Sequence, residues 1–403
     1  MSVYLDHAAS SPLRREVLDE MLPHLTTEQA NPSSPHGPGR RARMALDEAH
    51  ERLAASIGAR PRELVFTSGG TEAINLALKG AAWAGRATGH RLVTSSVEHK
   101  AVLESFTHLE SFGFEVLSLP VDRYGRVEPD DLSSALDEKV VLVSLQLANN
   151  EVGTISDVRE LCARVRSAGR ALVHLDAVQG AAWLPLDVGD LEVDLVSFSA
   201  HKVEGPKGRG ALWLRRGTAI LPQLQGGSQE RHRRAGTEDV AGAVGMAAAF
   251  ELASRERADV LPAVRVRRDR LAEAMLAIDG VELTGHPVER LPGLLSVIIR
   301  GLAGDDLVMA LDLEGVSCST GSACTTGSAE PSHVLTAMGY PADEARGSLR
   351  LSLGRSTSDA DVDAVASLIP GVVERLRQGS ARLTGAPGPG SPGVRELAGE
   401  VPA

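Results

Sequence analysis

Residues 194–208 read DLVSFSAHKVEGPKG. The run from Leu195 to Phe198 is apolar without the strict alternation of a half-exposed strand, so it reads as a strand buried on both faces. It stops at Ser199, Ala200, His201 and Lys202, ahead of a glycine-proline turn. Most lysines are solvated, and one held between a buried strand and Gly205 is out of place. Desolvation there lowers a lysine's pKa and leaves its amine free to form a Schiff base.

Five other short apolar runs share this pattern: ELVFTS (63–68), RLVTSS (91–96), VVLVSLQLAN (140–149), ALVHLDAV (171–178) and GALWL (210–214). Helical segments such as EAINLALKGAAWAG (72–85) and SDVRELCARVRSAG (156–169) lie between them. Strands alternating with helices predict an α/β domain with a mostly parallel central sheet, from about 15 to 255. In the second of these helices, Ser156 is the expected N-cap and Gly169 the expected C-cap. Past the alanine-rich stretch 241–260 come a charged helix (264–278), LLSVIIRG (294–301) and SLRLSLGR (348–355). These predict a smaller α+β C-terminal domain, made of 1–14 plus 256–378. The Pro/Gly-rich end, 379–403, reads as a disordered tail.

The chain has 403 residues, of which 43% are hydrophobic and 24% charged, the balance of a folded soluble protein. Its net charge of −11 argues against a general nucleic-acid or anionic-membrane binder. The basic run Arg231, His232, Arg233, Arg234 reads as a solvated loop, a tRNA contact or a patch at a subunit interface. The N-terminal stretch lacks the pattern of a secretory signal, so the expected compartment is the cytoplasm. Three cysteines, Cys162, Cys318 and Cys324, make a poor disulfide framework, and the spacing of the last two is not that of a zinc site, so no metal is expected. Cys324 is unusual in lying in STGSACTTGSAEPSHVL (319–335), a stretch of mostly small residues, whereas idle cysteines are usually buried.

In open α/β sheets ligands bind at the carboxyl ends of the strands. After ELVFTS come Gly69, Gly70 and Thr71, where a helix N-terminus offers free N–H groups to a phosphate. Alone, this is equally an ordinary turn capped by Thr71. Asp176 ends ALVHLD, where it serves as a helix cap or as a carboxylate pairing with a protonated ring nitrogen, the need of a pyridoxal phosphate site. His99, in SSVEHKAV, is placed to cap, to stack on a ring or to move a proton. Asn149 and Asn150 end another strand, where an amide can hold a ring oxygen or a carboxylate. Phosphate loop, Asp176 and Lys202, each at a strand end, together point to a cofactor site.

In these motifs, and in YLDHAASSP (4–12), NPSSPHGPGRRAR (31–43), NNEVG (149–153) and GGSQERHRRAGTEDV (226–240), the sequence resembles the pyridoxal-phosphate-dependent cysteine desulfurases of the NifS/IscS type. These are class V aminotransferases of pyridoxal-phosphate fold type I. The resemblance implies that Lys202 carries the cofactor, Asp176 pairs with its ring nitrogen and His99 stacks on its ring. It implies that Gln179 and Asn150 contact the ring oxygen or substrate, and that Gly70, Thr71, Ser199 and His201 hold the phosphate. Thr237 resembles a threonine that reaches a phosphate across a dimer interface, which implies a homodimer. Arg350 resembles the arginine that grips the substrate carboxylate, with Arg355 as its rival. Cys324 matches the nucleophile that takes sulfur from L-cysteine, leaving alanine, and passes it to an acceptor protein such as an iron–sulfur scaffold or a tRNA-thiolation enzyme. Selenocysteine cleavage, another reaction on this fold or a non-catalytic sulfur relay are the alternatives. His7, Ser10, Ser11, Ala200, Val203 and Glu204 depart from the commonest family pattern.

Overall fold

The computed structural model describes residues 2–321 and 331–384. Cys324 and the end of the expected tail lie outside the described residues. A short strand, β1 (Val3–Tyr4), opens the chain. The large sheet follows in β2 (Leu64–Thr67), β3 (Arg91–Ser95), β4 (Glu115–Leu119), β5 (Val140–Gln146), β6 (Leu172–Asp176), β7 (Leu195–Ser199) and β8 (Gly210–Leu214). Its order is β2-β8-β7-β6-β5-β3-β4. The pairs from β7 through β4 are parallel, whereas β8 runs antiparallel to both β7 and β2.

The sheet is therefore mostly parallel, and all six apolar runs are strands within it. The mostly parallel sheet is the one expected from the sequence. One strand went unread: β4, at the sheet edge, is largely half-exposed and carries the mixed sequence EVLSL. Unlike β2 at the other edge, which is buried throughout, β4 is exposed over much of its length and so has no continuous apolar run to betray it.

Buried strands need their polar side chains paired, and the centre of this sheet shows how. Ser144 Oγ lies 2.9 Å from His174 Nδ1, and His174 Nε2 lies 2.8 Å from Ser197 Oγ. This chain of contacts crosses β5, β6 and β7 on one face. Burial pushes the His174 imidazole down to about 3, so it is neutral and bridges two hydroxyls.

The helix Val158–Ala168 starts one residue later than the sequence suggested. Ser156 is not its N-cap, because the Ser156 N–H is engaged by the Leu147 carbonyl at 3.0 Å. Asp157 is the cap instead, its Oδ1 accepting the Glu160 N–H at 3.3 Å.

A second sheet, ordered β12-β10-β9, comprises β9 (Val281–Leu283), β10 (Leu294–Ile299) and β12 (Ser348–Ser352), all antiparallel. The N-terminal segment belongs with it: β1 pairs in parallel with β11 (Val316–Ser317), and Leu5 is fully buried among small-sheet residues such as Leu295 and Leu351. The helix Val240–Leu276 links the two halves without a break, so residues 255 and 256 lie inside one helix. Its first part packs Ala243, Val244 and Ala247 into the large core; its last part packs Val264, Leu271 and Met275 into the small one. The final helix, Asp359–Thr384, continues beyond residue 378.

This arrangement brings β1 and the residues after it from the small half to the carboxyl ends of β6 and β7. The cleft formed there contains the candidate site.

Candidate active site

Lys202 follows β7 in a short 3-10 turn, Ala200–Lys202. Its Nζ donates to the carbonyl oxygens of Ala8 and Ala9, at 2.5 and 2.8 Å. The N-terminal segment thus holds the amine over the end of the sheet. On the neighbouring strand Asp176 is 6% exposed, and its Oδ1 accepts the Val178 N–H at 2.9 Å. Burial pushes this carboxyl up to about 6, while the Lys202 charge pulls it back. A cation placed against Asp176 would bring that value back down and hold the carboxylate ionised.

His99 caps the helix Lys100–Glu110, its Nδ1 accepting the Ala101 N–H at 3.0 Å. With Nδ1 an acceptor, the proton of the neutral ring is on Nε2. Burial and the nearby Lys202 charge hold His99 down at about 4, so the ring is neutral at ordinary pH.

The helix Gly70–Gly85 starts at Gly69, which supplies no side-chain cap, leaving its first N–H groups for an anion. Gly69 has φ +154°, a region that favours glycine. At Gly70 the packing is closer: a Cβ there would come within 2.9 Å of Val178 Cγ2 and 3.4 Å of Ser199 Cβ. The phosphate-loop helix, the segment after Asp176 and the end of β7 therefore meet at one point. Thr71 is exposed on the first turn, and Ser199 is buried at 2% exposure. His201 is half-buried with Nδ1 3.3 Å from Ser10 Oγ, and burial and the Lys202 charge lower its pKa to about 4.

The two asparagines divide their work. Asn149 builds the turn: its Oδ1 accepts the N–H groups of Glu151 and Val152 at 2.8 and 2.9 Å, and its Nδ2 donates to Val97 O at 3.0 Å. Asn150 is half-buried, and its carbonyl accepts from Arg350 Nη1 at 2.9 Å. Arg350 is 3% exposed and also reaches Asp6 Oδ1 at 3.0 Å, while its Nε is buried without a partner. Arg355 is spent in a half-exposed ion pair with Glu204 at 3.1 Å. Gln179 donates to Ala8 O at 2.7 Å, so its amide braces the same N-terminal segment that holds Lys202.

Thr237 stands apart. It is exposed before the helix Val240–Leu276 and makes no side-chain hydrogen bond among the described residues. The basic run before it is tied to its own chain: Arg231 donates to Leu64 O at 3.0 Å, Arg233 to Arg62 O at 3.1 Å, and Arg234 to Glu72 at 2.9 Å. Those contacts leave little of the run for a polyanion.

Of the cysteines, Cys162 and Cys318 are buried, and burial pushes both thiols up to about 12. Neither is a ready nucleophile. The roots of the segment carrying Cys324 are described: Ser319 and Arg350 exchange backbone hydrogen bonds at 3.2 and 2.7 Å, and Ser332 caps the helix His333–Ala337. Three groups were not singled out from sequence: Asp6, Glu98 and Glu151. Each is an acidic residue within one of the motifs above; Glu98 and Glu151 matter because they are buried, and the partly buried Asp6 because it pairs with Arg350.

The parts fit pyridoxal phosphate on the donor set alone. A buried carboxylate awaits a cation, a glycine-led helix N-terminus has unsatisfied N–H groups, and a lysine amine and a neutral imidazole stand close enough for the lysine charge to act on both His99 and Asp176. Among the described residues no cluster of acidic, histidine and cysteine side chains is arranged to hold a metal ion.

Comparison with known proteins agrees in extent and detail. The family model described as Aminotransferase class-V matches residues 3–365. The cysteine desulfurase IscS of Methanosarcina thermophila is 46% identical over 376 residues, 93% of each chain. The IscS-like cysteine desulfurase of Mycobacterium tuberculosis is 47% identical over 392 residues, 95% of this chain and 99% of the relative. A solved structure of a NifS-like protein superposes with a TM-score of 0.89 at 37% identity, covering 93% of this chain and all of the other. Matched by that family model over residues 3–365 and by a solved structure over most of its length, the chain belongs to the class-V aminotransferase family.

Proposed function

We propose that the protein is a pyridoxal-phosphate-dependent cysteine desulfurase that converts L-cysteine to L-alanine and passes the sulfur, through a persulfide on Cys324, to an acceptor. One observation carries this reading over transamination on the same fold. The N-terminal root of the Cys324 segment is paired, through Ser319, with the backbone of Arg350. A transaminase has no use for a thiol tethered to its carboxylate-binding arginine.

Lys202 would hold pyridoxal phosphate covalently, Asp176 its ring nitrogen, His99 its ring face, and Gly70, Thr71, Ser199 and His201 its phosphate. When bound, the cofactor supplies an electron sink for the charge left on Cα. Arg350 grips the substrate carboxylate with a planar fork that suits two oxygens. Asn150 and Gln179 line the same side. Lys202, whose amine would be free once substrate is bound, would take the Cα proton. Its carbonyl partners, Ala8 and Ala9, orient the amine for that role. His99, neutral with its proton on Nε2, contributes a flat, uncharged face beside the lysine. The Cys324 thiolate then attacks the substrate sulfur. The carbon–sulfur bond breaks, Cβ gains a proton, the proton held by Lys202 returns to Cα, and the products are an enzyme persulfide and alanine.

Exposure of Thr237 and its lack of a side-chain hydrogen bond among the described residues support a homodimer in which it meets the phosphate of the second copy. The acceptor is a protein presenting a thiol, as a persulfide passes its outer sulfur by exchange. No helix among the described residues is long and apolar enough to cross a membrane.

The test uses L-cysteine and the cofactor-loaded protein. Parent enzyme is expected to form alanine and a persulfide mass on Cys324. Cys324→Ala is expected to retain the cofactor's visible absorbance and its change on adding L-cysteine, with no sulfide released under reductant. Full sulfide release by Cys324→Ala would sink the assignment.

A further inference from the structure

Glu151 is a buried carboxylate that the reaction above does not use. It is 5% exposed and directly follows Asn150. Ser332 Oγ donates to its Oε2 at 2.6 Å. A Cβ on Gly321 would come within 3.1 Å of the same oxygen. His333 Nδ1 stands 4.0 Å from Oε1, and His333 Nε2 lies 3.0 Å from the carbonyl of Glu98, next to His99. Among the described residues no lysine or arginine forms an ion pair with it. An unpaired carboxylate is costly to bury, and an apolar residue would pack there without that cost.

What the carboxylate does is tie the C-terminal root of the Cys324 segment, Ser332, to the turn that follows Asn150. The N-terminal root is held separately, by the backbone pairing of Ser319 with Arg350. The turn beneath them is fixed independently, since Asn149 holds the backbone N–H groups of Glu151 and Val152. Removing the carboxylate therefore releases Ser332 without releasing Asn150.

We propose that Glu151 is a positioning residue for sulfur transfer: by accepting the Ser332 hydroxyl, it fixes the C-terminal root of the Cys324 segment to the turn that presents Asn150. The inference rests on the desulfurase reading. Its consequence is kinetic, because an ångström of misplacement between nucleophile and target costs about 100-fold. Substrate capture by Arg350 is untouched, while the encounter of thiol and substrate sulfur is not.

Two readouts on the cofactor-loaded enzyme separate these steps. Rapid quenching and mass spectrometry follow the persulfide on Cys324 in one turnover, and the absorbance change on adding L-cysteine follows substrate binding. Glu151→Ala is expected to slow the persulfide step about 10- to 100-fold. The L-cysteine dependence of the absorbance change is expected to stay within about twofold of parent. Glu151→Gln is expected to return the rate to within about threefold of parent, because a carboxamide oxygen still accepts the Ser332 hydroxyl. Ser332→Ala is expected to match Glu151→Ala, with no further loss in the double variant.

A parent-like persulfide rate in Glu151→Ala overturns the proposal, as does a Gln variant as slow as the Ala variant. So does loss of L-cysteine binding together with the persulfide step, the mark of a merely structural role. Should Glu151→Ala not fold, a parent-like rate in Ser332→Ala overturns it equally. If parent enzyme binds L-cysteine yet makes no persulfide, the desulfurase reading itself fails, an outcome distinct from any defect confined to the variants.

Discussion

Arg350 Nη2 lies 3.0 Å from Asp6 Oδ1, while its Nη1 lies 2.9 Å from the Asn150 carbonyl. The guanidinium is thus held from two sides, by the N-terminal segment and by the NNEVG turn, in a plane set before substrate arrives. Preorganisation of this kind lowers the entropy lost on binding. Lysine supplies a point charge and no fork, so Arg350→Lys is expected to raise KM for L-cysteine about 100-fold. Arg355→Lys is expected to leave KM within about twofold, since Arg355 is half-exposed and already engaged by Glu204. Steady-state kinetics on both variants checks the assignment, and a reversed order would transfer the carboxylate to Arg355.

A second expectation concerns stability alone. His174 is fully buried and bridges Ser144 and Ser197 across three strands. His174→Ala leaves a cavity and two buried hydroxyls without their partner, a loss of about 3 kcal/mol. Denaturant unfolding should record that loss, with KM for L-cysteine unchanged at temperatures where the variant is folded. A ΔΔG near zero would mean that the bridge is dispensable.

How much of this was legible beforehand follows from the range of the interactions. Strands β2, β3, β5, β6, β7 and β8 announced themselves because burial on both faces demands continuous apolar runs. Strand β4 did not, because its residues, unlike those of the other edge strand β2, are largely open to solvent and need no apolar run. The helix start slipped from Ser156 to Asp157 because Ser156 is claimed by a backbone bond to Leu147, a pairing that local pattern does not encode. Glycines, lysine and aspartate at strand ends could be picked out by residue type. Glu98 and Glu151 could not, since an acidic residue in a sequence is usually solvated and only long-range packing buries it; nor could Asp6, whose place rests on its long-range pairing with Arg350. The two carbonyls that hold Lys202, from Ala8 and Ala9, carry no side-chain signal at all.

Glu98 gives a pH-dependent expectation. It is 1% exposed; its Oε1 accepts from Ser95 Oγ and the Gln146 N–H, and its Oε2 is buried without a partner. Burial, with the Asp176 carboxylate adding to it, pushes Glu98 from 4.5 up to about 8. The fold therefore favours the neutral acid. Its contribution to stability is complete below the unfolded value and is lost as pH rises through the folded one. Glu98→Gln cannot titrate, so its unfolding free energy relative to parent should rise by about 1.4 kcal/mol per pH unit within that window and flatten on either side. Chemical denaturation of both proteins at several pH values tests this; a pH-independent difference would show that Glu98 is ionised in the fold.

The last expectation separates a steric requirement from a conformational one at the phosphate loop. Gly70 is helical, so alanine there meets no backbone penalty, yet its Cβ would come within 2.9 Å of Val178 Cγ2. Relief requires either the helix N-terminus or the segment after Asp176 to move, and both belong to the proposed cofactor cradle. Gly70→Ala is therefore expected to weaken pyridoxal phosphate binding about 10-fold or more, an effect of geometry on charge-assisted hydrogen bonds. Val178→Ala removes the opposing methyl groups, so the double variant should recover most of that affinity, although Val178→Ala alone leaves a small void. Cofactor titration followed by absorbance gives all four dissociation constants. Additive losses in the double variant would mean that Gly70 is needed for something other than the space beside Val178, with close approach of its backbone to the phosphate the remaining reason.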